Sequence, residues 1–561
     1  MVDSDRDSDS ERGTKRKYSG SGDAHRASRV HRIRMRVPTP RGGGDDDVTS
    51  ACASPLESAL QREETGTETD EDPDAKERHY AALYRKELDF RALGEQDGDL
   101  KALLLQGGDV GTGSQSRLDF SDPRAVMQLT KTLLRLDFGL QIELPSDRLC
   151  PPVPNRHNYV LWLKELLDSS AASYAEVYEP ARRVRGLDIG TGASLIYPLL
   201  ACAQRPAWSF IATDVDPKSL DYARRNAERN GLQSRIRVVG QQHDIAAPLV
   251  PLDELGVDRL DFAMVNPPFY SSEAELLDLA RQKARPPLSA CTGAPVEMVY
   301  AAGGEVGFVG RIVDESLALR DRVQWYTAML GKQSSLDVLV SRLRDRGVDN
   351  YAITAFVQGN RTRRWALGWS FGNRRPSLKA SRGFEPAAGK RILPPPTELV
   401  VFEDDASAVD PSGLETLLRN AMAALDLVSW KWDSSASRGV GFADGNVWSR
   451  AYRRKKERQP QPPTDGGIEP RIDRSAGKVP ADVQDCPFGF AIWIHREHNG
   501  TRNAEGRVKV TVRWLQGRDY SLLESFTGML RQVILRATSV HAADGSVEEA
   551  SAGNSTTAEV K

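Results

Sequence analysis

The central part of the chain alternates short apolar runs with segments of helical periodicity. Runs of strand length occupy residues 184–189, 208–214, 235–239 and 260–265, and short loops join them to the helical segments between them. This alternation predicts a parallel sheet with crossover helices, a doubly wound α/β fold whose ligands bind at the carboxyl ends of the strands. A polar feature falls at the end of every run, at Gly190, Asp214, Asp244 and Asn266.

The fourth run ends in the sequence Asn266-Pro267-Pro268-Phe269. Each proline fixes its φ at about −65° and has no N–H donor, and Pro267 disfavours the helical region for Asn266. The Asn266 amide oxygen and a proline carbonyl are two acceptors that suit a planar –NH2 group. Stacking on Phe269 would hold the ring that carries this amine. We therefore expect these four residues to catalyse transfer to the exocyclic amine of a flat base.

A glycine turn follows the first run. Asp188, Gly190 and Gly192 lead into the apolar segment 195–202, a pattern that predicts the strand, turn and helix of a nucleotide-binding unit. Glycine lets the backbone approach a ligand closely, and the helix start offers N–H groups to a carboxylate. An acid at the end of the second strand, here Asp214, holds ribose hydroxyls in such folds. The pattern resembles the S-adenosylmethionine-dependent methyltransferases.

Composition narrows the alternatives. At 561 residues the chain exceeds one core, so we expect two or three folded parts. A net charge of −2 gives no global positive field, so any nucleic-acid surface has to be local. The five cysteines lack CxxC spacing, which argues against zinc and disulfides, and we expect no metal. No apolar run approaches the ~18 residues of a membrane span, so we expect no membrane partner.

Shifts in composition predict the domain boundaries. Residues 1–75 are rich in Ser, Asp, Glu, Arg and Gly, so we expect a disordered charged tail. Residues 76–150 predict a helical module, in which Asp122-Pro123 starts a helix. Residues 151–375 predict the catalytic core, which antiparallel strands on either side of Gly359-Asn360 close as a hairpin.

The remaining sequence predicts a second, smaller folded part. Residues 396–540 contain strands and two helices, which indicate a small antiparallel sheet covered by helices, an α+β domain. We expect a low-complexity insertion at about 440–482 and a disordered tail at 541–561. An RNA-binding role, a protein-docking role and a purely structural role for this part remain open.

Basic residues near the expected site would bind phosphates, although each alone could equally be an ordinary solvated charge. They are Lys283, Arg285, Lys332, Arg361, Arg363 and Arg364. Among these we expect Lys283, Arg285, Lys332 and Arg363 to bind RNA. Basic stretches between residues 15 and 36 are compatible with a nuclear localisation signal, a loose RNA arm or a solvated tail.

Several segments are specific enough to identify a family. In order, residues 134–140, 188–200, 266–269, 303–305, 325–332 and 364–371 resemble the methyltransferase-like 16 family over roughly residues 78–375. These are RNA adenine-N6 methyltransferases that act on U6 small nuclear RNA and are related to a bacterial 23S ribosomal RNA adenine-N6 enzyme. The resemblance implies an N-terminal helical RNA-binding module and S-adenosyl-L-methionine as methyl donor. It also implies an unpaired adenosine flanked by a stem, and a nuclear location, with the cytoplasm as the alternative.

The resemblance also assigns donor-binding residues. It implies that Arg156 and Gly190 contact the donor, and Asp188 and Asn266 belong to the same expected set. The ribose acid, usually glutamate in the family, is the shorter Asp214 here. Asp244 and Ile245 would lie over the donor adenine, although residues 240–245 depart from the family's loop.

Sequence analysis leaves two alternatives to RNA adenine methylation. One is an amino-methyltransferase that acts on ribosomal RNA or another substrate, because Asn-Pro-Pro with an aromatic residue also serves DNA adenine, ribosomal RNA guanine and protein glutamine methylation. The other is an RNA-binding scaffold whose transferase site is unused.

Overall fold

The first described part of the chain is helical. The computed structural model describes residues 73–105, 116–242, 244, 246–275, 293–358, 362–384, 392–405, 411–458, 483–497 and 506–552. Its first elements are α1 (Pro73–Ala82), α2 (Phe90–Gln96), α3 (Gly98–Lys101), strands β1 (Leu104–Leu105) and β2 (Arg117–Leu118), and α4 (Pro123–Phe138). The predicted helix start is confirmed, because the Asp122 side chain accepts the N–H of Arg124 and caps α4.

The alternating segments form one mostly parallel sheet. Its strands are β3 (Val184–Ile189), β4 (Trp208–Asp214), β5 (Ile236–Gly240), β6 (Leu260–Val265), β7 (Val323–Leu330), β8 (Tyr351–Gln358), β9 (Thr362–Trp369) and β10 (Arg382–Gly383). Their spatial order is β10-β8-β9-β7-β6-β3-β4-β5. Strands β5, β4, β3, β6 and β7 run parallel, whereas β9 is antiparallel to both β7 and β8. The predicted doubly wound sheet with an antiparallel closing hairpin is confirmed.

Helices cover both faces of this sheet. They are α5 (Val153–Ser169), α6 (Ile196–Gln204), α7 (Pro217–Arg229), α8 (Leu252–Leu255), α9 (Pro295–Met298), α10 (Gly304–Leu319), α11 (Gln333–Asp345) and α12 (Leu378–Ser381). Neighbouring side chains of β6 point to opposite faces, so Phe262 joins the core that includes α4 to α7, and Ala263 joins the core that includes α10 and α11. The carboxyl ends of β3, β4 and β6 therefore remain available for a site.

Largely buried ion pairs and a hydrogen bond join helix α1 to α5 and to the end of α6. The Glu77 carboxylate of α1 lies 2.8 Å from Lys164 Nζ and 3.1 Å from Arg205 Nη2. His157 Nε2 lies 2.9 Å from the Tyr80 carbonyl. Burial lowers the pKa of His157 to about 4. This helical region is therefore packed against α5 and α6 rather than tethered to them.

The C-terminal part forms a separate antiparallel sheet. Its elements are β11 (Glu398–Asp405), α13 (Pro411–Ala423), β12 (Ser429–Asp433), β13 (Arg438–Ala443), α14 (Arg450–Arg458), β14 (Phe488–Glu497), β15 (Arg507–Gly517) and α15 (Tyr520–Ala552). The strand order is β11-β15-β14-β13-β12. Leu418 of α13 and Phe526 of α15 are fully buried in its apolar core. The predicted α+β domain is confirmed.

Two boundaries in this part differ from the sequence prediction. The segment expected to be of low complexity from about residue 440 starts inside β13 and contains α14. Strand β13 was missed because Gly439 and Gly441 weaken a strand pattern, yet a Cβ at either would lie within 2.5 Å of a Trp430 or Phe490 ring atom. Helix α14 contains only two apolar residues, Ala451 and Tyr452, which are too few to form an apolar stripe that a sequence pattern reveals.

The expected disordered tail at 541–561 also begins differently. Helix α15 continues to Ala552, so residues 541–552 extend the preceding helix. Alanine and glutamate are frequent here and favour a helix. Residues 553–561 lie outside the described part of the chain.

A buried polar interface joins the C-terminal sheet to the catalytic core. The Glu176 carboxylate, on the loop between α5 and β3, accepts hydrogen bonds from Arg438 of β13 and Arg513 of β15. The Arg513 guanidinium also donates to the Ser169 carbonyl at 2.7 Å and to the Pro376 carbonyl at 2.9 Å. Its side chain is only 1% exposed. The two sheets therefore form one packed unit.

Candidate active site

The glycine turn after β3 brings backbone N–H groups to the sheet edge. Gly190 has φ 71° and Gly192 has φ 65°, in the left-handed region that favours glycine. The N–H groups of Gly190 and Thr191 both donate to the Thr213 carbonyl at 2.9 Å, which ties the turn to β4. A Cβ at Gly190 would meet nothing within 4 Å, so the turn has open space beside it.

Asp214, at the end of β4, closes one side of this space. Its Oδ2 accepts the Gly192 N–H at 2.8 Å, and its Oδ1 accepts the Asp216 N–H at 2.9 Å. Burial raises the pKa of Asp214, while these backbone hydrogen bonds oppose that shift. The carboxylate is thus fixed by its own backbone and faces the cavity beside the glycine turn.

Asp188 bonds to the glycine turn and is not among the described residues that line the cavity. Its Oδ2 accepts the Thr191 hydroxyl at 2.7 Å, while its Oδ1 is buried without a hydrogen-bond partner among the described residues. Burial raises the pKa of Asp188 to about 7. The position suits a residue that holds the turn, whereas the sequence prediction gave it a donor contact.

Arg156 reaches the same cavity from α5. The side chain is buried, and its Nη1 donates to the Tyr197 hydroxyl at 3.0 Å and lies 3.3 Å from Met329 Sδ. A buried guanidinium with a neutral partner favours an anionic group nearby. Arg156 is therefore placed to meet a carboxylate at this end of the cavity.

The end of β6 brings Asn266 to the same cavity. The Asn266 Oδ1 is buried and has no hydrogen-bond partner among the described residues. A buried polar atom without a partner is costly, which makes it a candidate acceptor for a ligand donor. Pro268 also lines the cavity, whereas Pro267 and Phe269 are not among the described lining residues.

The Phe269 ring lies close to Arg364 and Gly331. The guanidinium carbon of Arg364 lies 5.5 Å from the centroid of its ring. A Cβ at Gly331 would come within 2.9 Å of the ring, so only glycine allows this close approach. The Glu305 carboxylate accepts the N–H groups of Gly331 and Lys332 at 2.6 and 3.1 Å, which fixes the chain beneath the ring. Glu305, the last residue of the Gly303-Gly304-Glu305 segment, therefore helps to position Phe269.

These groups line one cavity at the carboxyl ends of β3, β4 and β6. Its walls include five residues that the sequence predicted, namely Arg156, Gly190, Asp214, Asn266 and Pro268. The other lining residues are Leu149, Pro151, Ile189, Thr191, Gly192, Ala193, Ser194, Ile196, Tyr197, Val215, Gln241, Leu249, Val265, Val296, Glu297 and Phe308. Leu149, Val296, Glu297 and Phe308 come from distant segments, and no local motif in the sequence marks them.

Three further expected residues that the structure describes, Asp244, Lys332 and Arg363, are not among the residues that line the cavity. Asp244 is exposed, accepts the Ala246 N–H at 2.8 Å in a local turn, and is not among the described lining residues. Lys332 Nζ lies 3.1 Å from a Glu275 carboxylate oxygen, and Arg363 is exposed on β9. Ile245, Lys283 and Arg285, with Arg361, lie outside the described residues.

The described residues contain neither a candidate membrane helix nor a candidate metal cluster. None of their helices combines the length and apolarity that crossing a membrane requires. The same residues contain no cluster of three or more His, Cys, Asp or Glu side chains suited to a metal ion.

Comparison with known proteins identifies the family. A family model described as RNA methyltransferase matches residues 74–373. The Danio rerio RNA N(6)-adenosine-methyltransferase mettl16 is 32% identical over 444 residues, which cover 75% of this chain and 90% of that protein. The Mus musculus RNA N(6)-adenosine-methyltransferase METTL16 is 40% identical over 307 residues, which cover 53% of this chain and 52% of that protein.

A third relative carries a more specific name. The U6 small nuclear RNA (adenine-(43)-N(6))-methyltransferase of Schizosaccharomyces pombe is 40% identical over 261 residues, which cover 46% of this chain and 64% of that protein. The chain thus spans about half the length of the mouse relative but most of the zebrafish one. The family predicted from the sequence motifs is confirmed: the chain belongs to the RNA methyltransferase family that includes the METTL16 proteins.

Proposed function

We propose that this protein transfers a methyl group from S-adenosyl-L-methionine to the exocyclic N6 amine of an adenosine in a structured RNA. The observation that carries the proposal is the buried Asn266 Oδ1, which faces the cavity without a partner among the described residues. An amine donor from an incoming base would satisfy it.

The walls of the cavity fit the methyl donor. Arg156 offers a guanidinium to its carboxylate, Asp214 offers an acceptor to its ribose hydroxyls, and the turn at Gly190 leaves room for close approach. When bound, the donor supplies a methyl group on a positively charged sulfur. Asp188 holds the glycine turn from below through Thr191.

The target base is held by the sequence after β6. The Asn266 Oδ1 and the Pro267 carbonyl accept hydrogen bonds from the two amine protons and orient the nitrogen lone pair toward the methyl group. Phe269 stacks on the base after the base has left the stack of its RNA. Leaving the stack costs a few kcal/mol, and this cost is lowest for an unpaired adenosine. A nitrogen–carbon bond forms as the carbon–sulfur bond breaks, and the excess proton leaves to water. Orientation of this kind can lower a barrier by about 7–11 kcal/mol.

We propose U6 small nuclear RNA, with an unpaired adenosine flanked by a stem, as the substrate, since the Schizosaccharomyces pombe relative is named for that RNA. The nucleus is the corresponding proposed compartment. Exposed Arg363 contributes charge for phosphates, and Lys283, Arg285 and Lys332 remain proposed phosphate contacts. Residues 76–150 are the proposed N-terminal RNA-binding module.

The test is transfer of labelled methyl from S-adenosylmethionine to U6 RNA by the full chain. A second U6 RNA carries guanosine in place of the target adenosine. Label on the first RNA alone supports a site-specific adenine methyltransferase. Label on both RNAs would indicate another amine, and no label despite tight RNA binding would support the scaffold alternative.

A further inference from the structure

Glu297 reaches the cavity from a segment that sequence reasoning did not connect with it. It belongs to the short helix α9, more than 80 residues after Asp214 in the chain. Its Oε2 accepts the Ala294 N–H at 2.9 Å and the Leu149 N–H at 3.0 Å. One oxygen of the carboxylate therefore fixes the side chain between α9 and the segment that precedes α5.

The other oxygen points toward the glycine turn. Glu297 Oε1 lies 3.9 Å from the position that a Cβ on Gly192 would take, and the described residues give this oxygen no hydrogen bond. Burial raises the pKa of Glu297, and Arg148 opposes that shift while Asp214 adds to it. A partly buried carboxylate with one uncommitted oxygen gains from a hydroxyl donor.

Asp214 contacts the same glycine directly. Gly192 donates its N–H to Asp214 Oδ2, and Asp216 donates to Asp214 Oδ1. Both oxygens thus already accept one backbone donor, although each keeps one further acceptor site. Two carboxylates that face one glycine turn match a ligand group with two adjacent hydroxyl donors.

We propose that Glu297 is a donor-binding residue that accepts a hydrogen bond from the ribose diol of the methyl donor, beside Asp214. This inference rests on the proposed function, because it assumes that the cavity binds an S-adenosyl compound. It adds a contact from a distant segment, so that binding of the ribose also stabilises the link between α9 and Leu149.

The experiment pairs protein variants with ligand variants. Calorimetry measures the Kd of the full chain for S-adenosylhomocysteine and for its 2′-deoxy and 3′-deoxy analogues. The protein variants are wild type, Glu297→Gln, which keeps the side-chain size and one oxygen for Leu149 and Ala294, and Glu254→Gln, an exposed change on α8. Thermal unfolding of each variant checks the fold.

The expected result is a coupling between one hydroxyl and Glu297. In wild type and Glu254→Gln, removal of that hydroxyl weakens binding about tenfold, a typical effect of one charge-assisted hydrogen bond. In Glu297→Gln the same removal costs less than about twofold, while the parent ligand binds about tenfold more weakly. If Glu297→Gln weakened binding of the parent ligand and of both deoxy ligands by the same factor, the inference would be overturned. Unchanged binding of the parent ligand by Glu297→Gln would also overturn it.

The two proposals fail in different ways. Failure of wild type to bind S-adenosylhomocysteine would refute the cavity as a donor site and with it the proposed function. Wild-type binding without coupling between Glu297 and either hydroxyl would overturn only the role of Glu297.

Discussion

The guanidinium carbon of Arg364 lies 5.5 Å from the centroid of the Phe269 ring. Burial lowers the pKa of Arg364, and nearby Arg156 adds to that shift. An arginine held against this cost gains from the aromatic face, and such contacts are worth about 0.5–2 kcal/mol. The contact links the closing hairpin to the aromatic residue on which the target base is proposed to stack.

Arg364→Gln is therefore expected to lower kcat for RNA methylation by about tenfold at saturating RNA, because Phe269 loses its fixed position. The Kd for S-adenosylhomocysteine should stay within about twofold. Arg363→Gln is the matched control, because Arg363 is the preceding residue in the chain and its side chain is exposed. That change should raise KM for RNA and leave kcat unchanged. Equal kcat in Arg364→Gln and wild type would contradict the positioning role.

Asp188 predicts an unusual dependence of stability on pH. Its pKa in the folded protein is raised by burial to about 7, above the ordinary value of 3.8. The folded state therefore holds a proton that the unfolded state has lost, and this contribution to stability falls as pH rises from about 4 to about 7. Asp188→Asn keeps an oxygen for Thr191 and cannot ionise.

Asp188→Asn should therefore be more stable than wild type at pH 8, by at most about 4 kcal/mol. At pH 5 the two proteins should differ less, because wild-type Asp188 is then largely protonated. Urea denaturation of both proteins at the two pH values measures this difference. A stability gap that is the same at pH 5 and pH 8 would show that Asp188 does not titrate in this range.

Glu176 should be required for stable packing of the C-terminal sheet against the catalytic core. It accepts hydrogen bonds from both Arg438 and Arg513, whose side chains are 18% and 1% exposed. Glu176→Ala leaves these guanidinium groups without their carboxylate, and loss of one partner from a buried ion pair costs about 3–5 kcal/mol.

Chemical denaturation with separate probes for each sheet measures the effect of Glu176→Ala. We expect a loss of about 3–5 kcal/mol and earlier unfolding of the C-terminal sheet. Glu228→Ala, an exposed change on α7, should alter stability by less than about 0.5 kcal/mol. A Glu176→Ala protein as stable as that control would contradict a tightly docked C-terminal domain.

Local patterns in the sequence predicted the sheet and several residues of the site. Gly190, Asp214 and Asn266 follow apolar runs, and strand ends of a parallel sheet meet at one edge, so their proximity followed from order alone. The Asn-Pro-Pro-Phe motif is contiguous and needs no tertiary information. The glycine-turn motif also contains Asp188, whose bond to Thr191 no spacing along the chain predicts, and its donor contact stays a prediction.

Other features depend on contacts between distant segments. Glu297 meets Leu149 and the glycine turn only after folding, and α9 is too short for periodicity to predict. Glu176 lies in a loop, and its partners Arg438 and Arg513 are over 250 residues away in the chain. Strand β13 was hidden by glycines that leave room for neighbouring aromatic rings. In each case the deciding interaction involves a partner that spacing along the chain does not reveal.

The most direct test of the account is methyl transfer to U6 RNA by Asn266→Ala and wild type. The rate of the variant is expected to fall below about 1% of the wild-type rate, because the amine loses its orienting acceptor. Its Kd values for RNA and for S-adenosylhomocysteine should stay within about threefold, which excludes misfolding as the cause. Transfer by Asn266→Ala at the wild-type rate would contradict the assignment of this cavity as the methylation site.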